Sequence, residues 1–139
     1  GVNRWTLIFN DLCRQVMTSG EMVIKSSGKQ HRDFIALQDV AAAVDHFLFE
    51  SSEKWDDGLF NLGGDRSFSI LEVAKKIATV YEKKYGKPVP IQILGKDNGE
   101  RYSPVYFNID KLKKTGFRLT GNMEKEIEQT LSLCENFSI

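Results

Sequence analysis

The chain has 139 residues, of which 19 are basic and 19 are acidic, so its formal net charge is zero. A dedicated nucleic-acid-binding protein usually has a large basic excess, and this balance argues against a nucleic-acid partner. No apolar run approaches the length of a membrane span and no signal peptide is visible, so we expect no membrane contact and a cytoplasmic protein. The length suits a single domain over residues 1–139 that buries roughly two thirds of its unfolded surface.

The first part of the chain predicts a helix and a strand. There is no initiator Met, and residues 1–3 are typical of the end of a loop, so we expect a fragment of a longer protein or a trimmed form of it. An apolar face then predicts a helix near residues 5–18, which Gly20 ends. A short apolar run predicts a strand near residues 22–25, before a serine and glycine turn.

The next stretch predicts a short strand followed by an amphipathic helix. The apolar run from Phe34 to Leu37 is consistent with a buried strand near residues 33–37. Asp39 is a good N-cap for a helix near residues 39–50, because its carboxylate can accept from amides of the first turn. His46 lies largely opposite the apolar stripe of this helix and is predicted to be a surface histidine. The stripe at helical spacing consists of Val40, Ala43, Val44, Phe47 and Leu48.

A basic cluster of Lys29, His31 and Arg32 precedes the predicted strand. A planar guanidinium at the start of a rigid strand is well placed to donate two charge-assisted hydrogen bonds to a phosphate. The alternative for Arg32 is an ion pair with Asp33 or Asp65. His31 flanks the arginine and is a second candidate for phosphate contact.

The second half of the chain alternates strands and helices. Ser69 and Glu72 have the spacing of a capping box, which predicts the start of a long helix. The longest polar loop runs from Gly95 to Pro104. Strands are predicted near residues 59–62 and 91–94, and helices near 69–85, 109–115 and 122–136.

The pair Gly63-Gly64 has to be weighed as a phosphate-binding loop. A dinucleotide fingerprint requires Gly-x-Gly-x-x-Gly between a strand and a helix. Asp65 follows the pair and the later positions hold Arg66, Ser67 and Phe68, so the fingerprint is absent. The pair is therefore predicted to be a structural turn.

Three motifs together resemble a known family. They are Gly28-x-x-x-Arg-Asp-Phe-Ile-x-x-x-Asp-Val-Ala-x-Ala43, Gly58-Leu-Phe-Asn-Leu-Gly-Gly64 and Ser67-Phe-Ser-Ile-Leu-Glu72. They are similar to the C-terminal half of the extended short-chain dehydrogenase/reductases, which include NAD(P)-dependent nucleotide-sugar epimerases, dehydratases and reductases. The resemblance covers most of the chain. It implies an α/β fold, a small mixed lobe of helices and strands that binds substrate, with the cofactor domain absent.

The resemblance also implies partners and site residues. It implies a nucleotide-diphosphate sugar as the substrate, and an N-terminal Rossmann domain of the same protein that binds NAD or NADP. Backbone near Val23 and Ile24 would lie against the nucleotide base, although a core-edge strand is the alternative for both residues. Arg101 precedes Asp110 by nine residues, close to the spacing of a family arginine that binds the second phosphate. The usual Arg-x-Gly-Asp motif is absent, and the alternative is an ordinary loop arginine.

The chain lacks the chemistry of a complete enzyme of this kind. The resemblance implies that catalysis would need a Tyr-x-x-x-Lys pair, in which the lysine lowers the pKa of the tyrosine. The residues four positions after the four tyrosines are Tyr85, Val89, Tyr106 and Asp110, so no such pair exists.

The histidines and cysteines do not have the spacing of a metal site or of a disulfide pair. The two histidines and two cysteines are too isolated for a metal site. Cys13 and Cys134 sit in helical apolar patterns, which favours buried reduced thiols over a disulfide. We therefore predict no catalytic, cofactor-binding or metal-binding residue in this chain. Two functions remain open: the substrate-binding part of an NAD(P)-dependent nucleotide-sugar enzyme, or a non-catalytic binding or regulatory protein that retains this lobe.

Overall fold

The computed structural model describes residues 7–49, 53 and 55–136, and has nine helices and strands within those ranges. Residues 5 and 6 of the first predicted helix and residue 50 of the second lie outside the described residues. None of the described helices has both the length and the apolar character needed to cross a membrane. In chain order the elements are α1 (Ile8–Ser19), β1 (Met22–Ile24), β2 (His31–Asp33), α2 (Leu37–Phe49), β3 (Ser67–Ser69), α3 (Ile70–Tyr85), β4 (Ile91–Ile93), α4 (Asp110–Lys114) and α5 (Met123–Asn136).

The chain divides into two compact units. The first unit is formed by Gly1–His31, Ser69–Ser103 and Met123–Ile139, and the second by Arg32–Phe68 and Pro104–Asn122. The predicted α/β class is confirmed. One domain over residues 1–139 stays a prediction.

The first unit packs α1, α3 and α5 against one another and places β1 beside β4. The two strands are parallel, with Met22 opposite Ile91 and Ile24 opposite Ile93. Both cysteines are buried free thiols, as predicted. The core of this unit consists of Leu12, Cys13, Val16, Met22, Ile24, Ile70, Val73, Ala74, Ile77, Val80, Ile127, Leu131 and Cys134.

Helix α3 starts and ends where its sequence signals predict. The Ser69 hydroxyl accepts from the Glu72 amide at 3.1 Å, and the Glu72 carboxylate accepts from the Ser69 amide at 2.7 Å. The capping box is therefore formed. Gly86 ends the helix in the left-handed conformation, and Gly20 ends α1 in the same way.

The second unit has a small core around α2 and α4. Four buried residues form its centre: Ala43, Ile109, Leu112 and Phe117. Half-buried residues pack against them, namely Ala42, Phe47, Phe60, Leu62 and Leu119.

The predicted strand at residues 33–37 is wrong. The strand is β2, which pairs with β3, a short polar strand that was not predicted. Past β2, the Phe34 amide still bonds the Arg66 carbonyl, at 3.2 Å. The Ala36 carbonyl then accepts from the amides of Asp39 and Val40, so α2 begins before Asp39.

The predicted N-cap role of Asp39 is wrong for the same reason. Asp39 lies within the first turn of α2 and is buried. Its carboxylate accepts from the amides of Thr120 and Gly121, both at 2.8 Å. A cap was predicted from local spacing, whereas the carboxylate fixes a segment about eighty residues away in the sequence.

The predicted strand at residues 59–62 is also not formed; the described chain there has no strand pairing. Phe60 and Leu62 pack against the core of the second unit. Leu59, which precedes Phe60, is 74% exposed. The side chains alternate as in a strand, but the backbone has no strand partner in the described residues.

Helix α2 buries only part of the predicted stripe: Ala43 and Phe47 belong to the core of the second unit. Val44 and Leu48 of the predicted stripe are exposed. His46, predicted at the surface, is half-buried, and its Nε2 lies 2.8 Å from the Thr115 hydroxyl. Its ring packs against Phe117. The inward face is therefore set by polar contacts of Asp39 and His46 as well as by apolar spacing.

Candidate functional site

The carboxyl ends of β1 and β4 form the candidate site, which lies in the first unit. Because the two strands are parallel, the loops that follow them leave the same edge of the sheet. We call residues 25–30 the first loop and residues 94–103 the second loop. In open α/β sheets, ligands bind outside the carboxyl ends of the strands. This edge is therefore the part of the unit best placed to hold a ligand.

The two loops contact each other closely. The pairing of the strands continues one step further, because the Leu94 amide donates to the Ile24 carbonyl at 2.9 Å. A Cβ on Gly95 would lie 2.1 Å from the carbonyl carbon of Ser26, so only glycine fits there. Lys29 of the first loop pairs with Asp97 of the second. This hydrogen bond holds the pKa of the Asp97 carboxyl below its usual value.

The first loop is also fixed to the start of α3. Gly28 has φ of 74°, and its carbonyl accepts from the Leu71 amide at 3.0 Å. The Gln30 carbonyl accepts from the Ile70 amide at 3.0 Å. The backbone of this loop is therefore positioned by a capped helix, which favours a preformed site.

Tyr102 lies in the second loop and was not among the predicted site residues. Its hydroxyl donates to Glu100 at 2.8 Å. This bond to the carboxylate raises the pKa of Tyr102, because it favours the protonated phenol. A signal for this region was present in the sequence, since a polar loop with two glycines follows an apolar strand.

Val23 and Ile24 lie in β1, where the resemblance implied contact with a base. Ile24 is buried, so its side chain belongs to the core. Val23 is half-buried, and the side chain of Gln15 bonds its backbone on both sides. The Gln15 carbonyl oxygen accepts from the Val23 amide at 2.7 Å, and the Gln15 amide donates to the Val23 carbonyl at 3.4 Å. A ligand at this backbone would have to replace Gln15.

The predicted phosphate-binding residues fall in both units. His31 and Arg101 belong to the first unit and Arg32 to the second. His31 is close enough to Glu72 of the capping box to lower the pKa of that carboxyl, after the larger effect of the Ser69 amide. Arg101 is exposed in the second loop, and Arg32 is exposed in β2. Their roles in binding stay predictions.

The two carboxylates considered as partners for Arg32 both have other contacts. Asp33 accepts from the backbone amides of Gly64, at 2.7 Å, and Arg66, at 3.4 Å. Asp65 forms an ion pair with Lys113 at 2.6 Å. The Asp33 carboxylate therefore organises the turn at the glycine pair.

That turn has no room for a cofactor phosphate. A Cβ on Gly64 would lie 1.6 Å from the Phe34 carbonyl oxygen, so the space next to this glycine is filled by the chain's own backbone. A Cβ on Gly63 would lie 2.8 Å from the Phe107 Cβ. The glycines permit close packing within the unit, and they do not fit the pyrophosphate of NAD. Nor do the described residues contain a group of three or more side chains suited to a metal ion.

Comparison with known proteins gives the class of the fold. No family model and no curated protein matches the sequence. The structure of RMD from Pseudomonas aeruginosa complexed with NADPH is 16% identical, with a TM-score of 0.74 over 97% of this chain and 44% of that one. UDP-N-acetylglucosamine 4-epimerase from Bacillus cereus is 21% identical, with a TM-score of 0.69 over 94% and 43%. UDP-glucuronic acid 4-epimerase from the same organism, in complex with UDP-glucuronic acid and NAD, is 20% identical, with a TM-score of 0.67 over 96% and 41%.

These neighbours confirm the resemblance predicted from the sequence, at the level of the fold. Two of them are UDP-sugar 4-epimerases, one of which is in complex with NAD, and RMD is complexed with NADPH. The chain has the α/β fold of a part of these structures. It spans about two fifths of the length of these solved structures, which is consistent with a C-terminal part.

Proposed function

We propose that this chain is the nucleotide-sugar-binding part of an NAD(P)-dependent epimerase, dehydratase or reductase, and that it is not catalytic alone. The observation that carries the proposal is the edge formed by the two loops at the carboxyl ends of β1 and β4. It combines a rigid backbone with the basic side chains of Lys29, Lys96 and Arg101. A diphosphate needs such donors, and arginine can donate to it in a bidentate manner.

The rest of the reaction belongs to a second domain. NAD or NADP would supply hydride transfer from an N-terminal Rossmann domain of the same protein. The filled space at Gly64 supports this division, because the chain's own glycine pair does not fit the cofactor. The residues of this chain would bind and orient the nucleotide diphosphate, and so place the sugar.

Binding to the isolated chain tests the proposal. Titration with UDP-glucuronic acid, followed by amide NMR shifts, should perturb the two loops, and NAD should give no saturable binding. Arg101→Ala should weaken the nucleotide sugar about tenfold, since one charge-assisted bond is worth about 1.5 kcal/mol or more. Arg14→Ala on α1 is the matched control, because Arg14 is also an exposed arginine of the first unit.

Other outcomes would contradict the proposal. Saturable NAD binding with no response to nucleotide sugars would overturn it. Binding of the sugar nucleotide by the whole protein, without turnover in the presence of NAD or NADP, would favour the alternative of a non-catalytic binding or regulatory protein.

A further inference from the structure

Strand β4 pairs with β1 along one of its two edges. The Pro90 carbonyl accepts from the Met22 amide at 3.0 Å, and the Leu94 amide donates to the Ile24 carbonyl at 2.9 Å. Alternate residues of a strand direct their backbone groups to opposite edges. The even-numbered residues from Pro90 to Leu94 therefore bond towards β1, and the odd-numbered ones point away from it. Among the described residues, no further strand lies beside β4.

The outer edge of β4 is open and apolar. Ile91 and Ile93 direct their amides and carbonyls to this edge, and Ile93 is 42% and Leu94 57% exposed. Exposed edges are commonly protected by a charged side chain or by a proline that removes an outward amide. The segment from Pro90 to Leu94 has no charged residue, and the nitrogen of Pro90 lies on the side of β1. This edge therefore keeps its donors and acceptors for another strand.

The outer edge of β1 is closed by a side chain. The Gln15 carbonyl oxygen accepts from the Val23 amide at 2.7 Å, and the Gln15 amide donates to the Val23 carbonyl at 3.4 Å. A carboxamide has the donor and the acceptor of a peptide group, so Gln15 occupies the place of a neighbouring strand. The two-stranded sheet thus has one protected edge and one open edge.

The residues of the open edge are symmetric in type about Gln92. The segment is Pro90-Ile91-Gln92-Ile93-Leu94, so antiparallel pairing with a second copy, centred on Gln92, sets every apolar residue opposite an apolar one. Ile91 of one copy then lies opposite Ile93 of the other. Because these two residues direct their backbone groups outward, each such pair exchanges two hydrogen bonds. Gln92 meets Gln92 as a pair without backbone bonds, and no like charges lie opposite each other.

We propose that this chain self-associates through β4, which pairs antiparallel with β4 of a second copy and joins two two-stranded sheets into one. A two-fold interface brings the same surface of both copies together, as this symmetric segment allows. Ile93 lies beside the buried Ile24 in the register but is itself exposed, and Ile91 of the second copy would cover it. The inference does not depend on the proposed function. It places the loops that follow β4 in the two copies at opposite ends of the common sheet.

Disulfide cross-linking tests the register. Gln92→Cys places two thiols at the two-fold axis, where the Cα atoms of such a pair are about 4.5 Å apart and within reach of a disulfide. Ile93→Cys is the matched control, because its opposite residue is Ile91 and residue 93 of the second copy is displaced by two positions along the strand. The native Cys13 and Cys134 are buried, and burial raises the pKa of both thiols, so they react slowly. Each variant is oxidised with glutathione disulfide and analysed by electrophoresis without reductant.

The expected result is a covalent dimer that forms at least tenfold faster with Gln92→Cys than with Ile93→Cys. Sedimentation of the wild-type chain should show a dimer as its concentration rises to about 1 mM, since small interfaces associate weakly. Ile93→Lys should weaken this dimer at least tenfold, because a lysine on an edge strand opposes pairing. Leu133→Lys on α5 should leave it unchanged, and Leu133 is a suitable control because it is 54% exposed.

Three results would overturn the inference. One is a wild-type chain that stays monomeric at that concentration. Another is a dimer that Ile93→Lys does not weaken, because the contact would then lie on another surface. The third is equal cross-linking of the two cysteine variants, which is incompatible with the register. Circular dichroism shows whether Ile93→Lys is folded, and if it is not, the cross-linking rates of the two cysteine variants decide.

Discussion

The two compact units each contain a helix that is fixed by contacts of a different range in the sequence. In the first unit, α3 is capped by residues three positions apart, and Gly86 ends it. In the second unit, the buried carboxylate of Asp39 bonds amides 81 and 82 residues further along the chain. Local signals are readable from sequence, whereas long-range polar contacts are not. A residue type that favours helix caps can therefore bond a distant segment instead.

Asp39→Ala should give the largest effect, because it removes a buried long-range contact within the second unit. The carboxylate accepts from the Thr120 amide and hydroxyl and from the Gly121 amide. Losing bonds to a charged group, with partial replacement by water, should lower the free energy of unfolding by about 2–3 kcal/mol. Urea unfolding followed by circular dichroism measures this change.

Asp39→Asn is the control for that prediction. Its amide oxygen can still accept one of the backbone bonds, so the loss should be smaller. Hydrogen exchange should also speed up in α2 of the alanine variant. A change below about 0.5 kcal/mol in Asp39→Ala would mean that the distant contact contributes little, since ordinary surface substitutions fall in that range.

The elements predicted from the sequence were those with local signals. Helices α1, α3 and α5 and strands β1 and β4 lie near their predicted positions, because a capping box, a terminal glycine or apolar spacing marks each of them in the sequence. Strand β2 was placed too late, since the apolar run after it suggested a strand more strongly than His31–Asp33 did. Strand β3 is short and includes two serines, so it carries little strand signal.

In the candidate site too, contacts between residues far apart in the sequence could not be predicted. The sequence predicted a serine and glycine turn after the first strand and a basic cluster of Lys29, His31 and Arg32. The contact of the first loop with the second loop could not be predicted, because the partners Gly95 and Asp97 are far along the chain and their proximity depends on the parallel pairing of β1 and β4. The side of α2 that faces the core was predicted only in part, because the polar contacts of Asp39 and His46 turn Val44 and Leu48 outward while Ala43 and Phe47 stay inward.

Ser69→Ala removes part of the short-range cap of α3 and should lower the free energy of unfolding by an intermediate amount. The variant loses the hydroxyl that accepts from the Glu72 amide, and a lost N-cap costs about 1 kcal/mol. The loss should be smaller than for Asp39→Ala and should be visible as faster exchange in the first turn of α3. Ser69→Asp should retain most of the stability, because aspartate also accepts at an N-cap. A Ser69→Ala variant with unchanged stability would show that tertiary packing alone holds this helix end.

The smallest effect is expected at the ion pair that joins the two loops of the first unit. Lys29 lowers the pKa of Asp97 through a hydrogen bond and through charge attraction. A carboxyl whose pKa is lowered in the folded state adds stability above its unfolded pKa, and that stability is lost as the pH falls through the folded pKa. Both groups are half-exposed, so the contribution to stability is small and weakens with salt.

Carboxyl NMR titration should therefore find the pKa of Asp97 below the usual aspartate value in the wild-type chain. Lys29→Met should raise it, while Lys96→Met, at the neighbouring lysine of the second loop, should leave it unchanged. An unchanged Asp97 pKa in Lys29→Met would mean that the loops are not joined by this pair in solution, and the candidate site would then lack one of the contacts that position it.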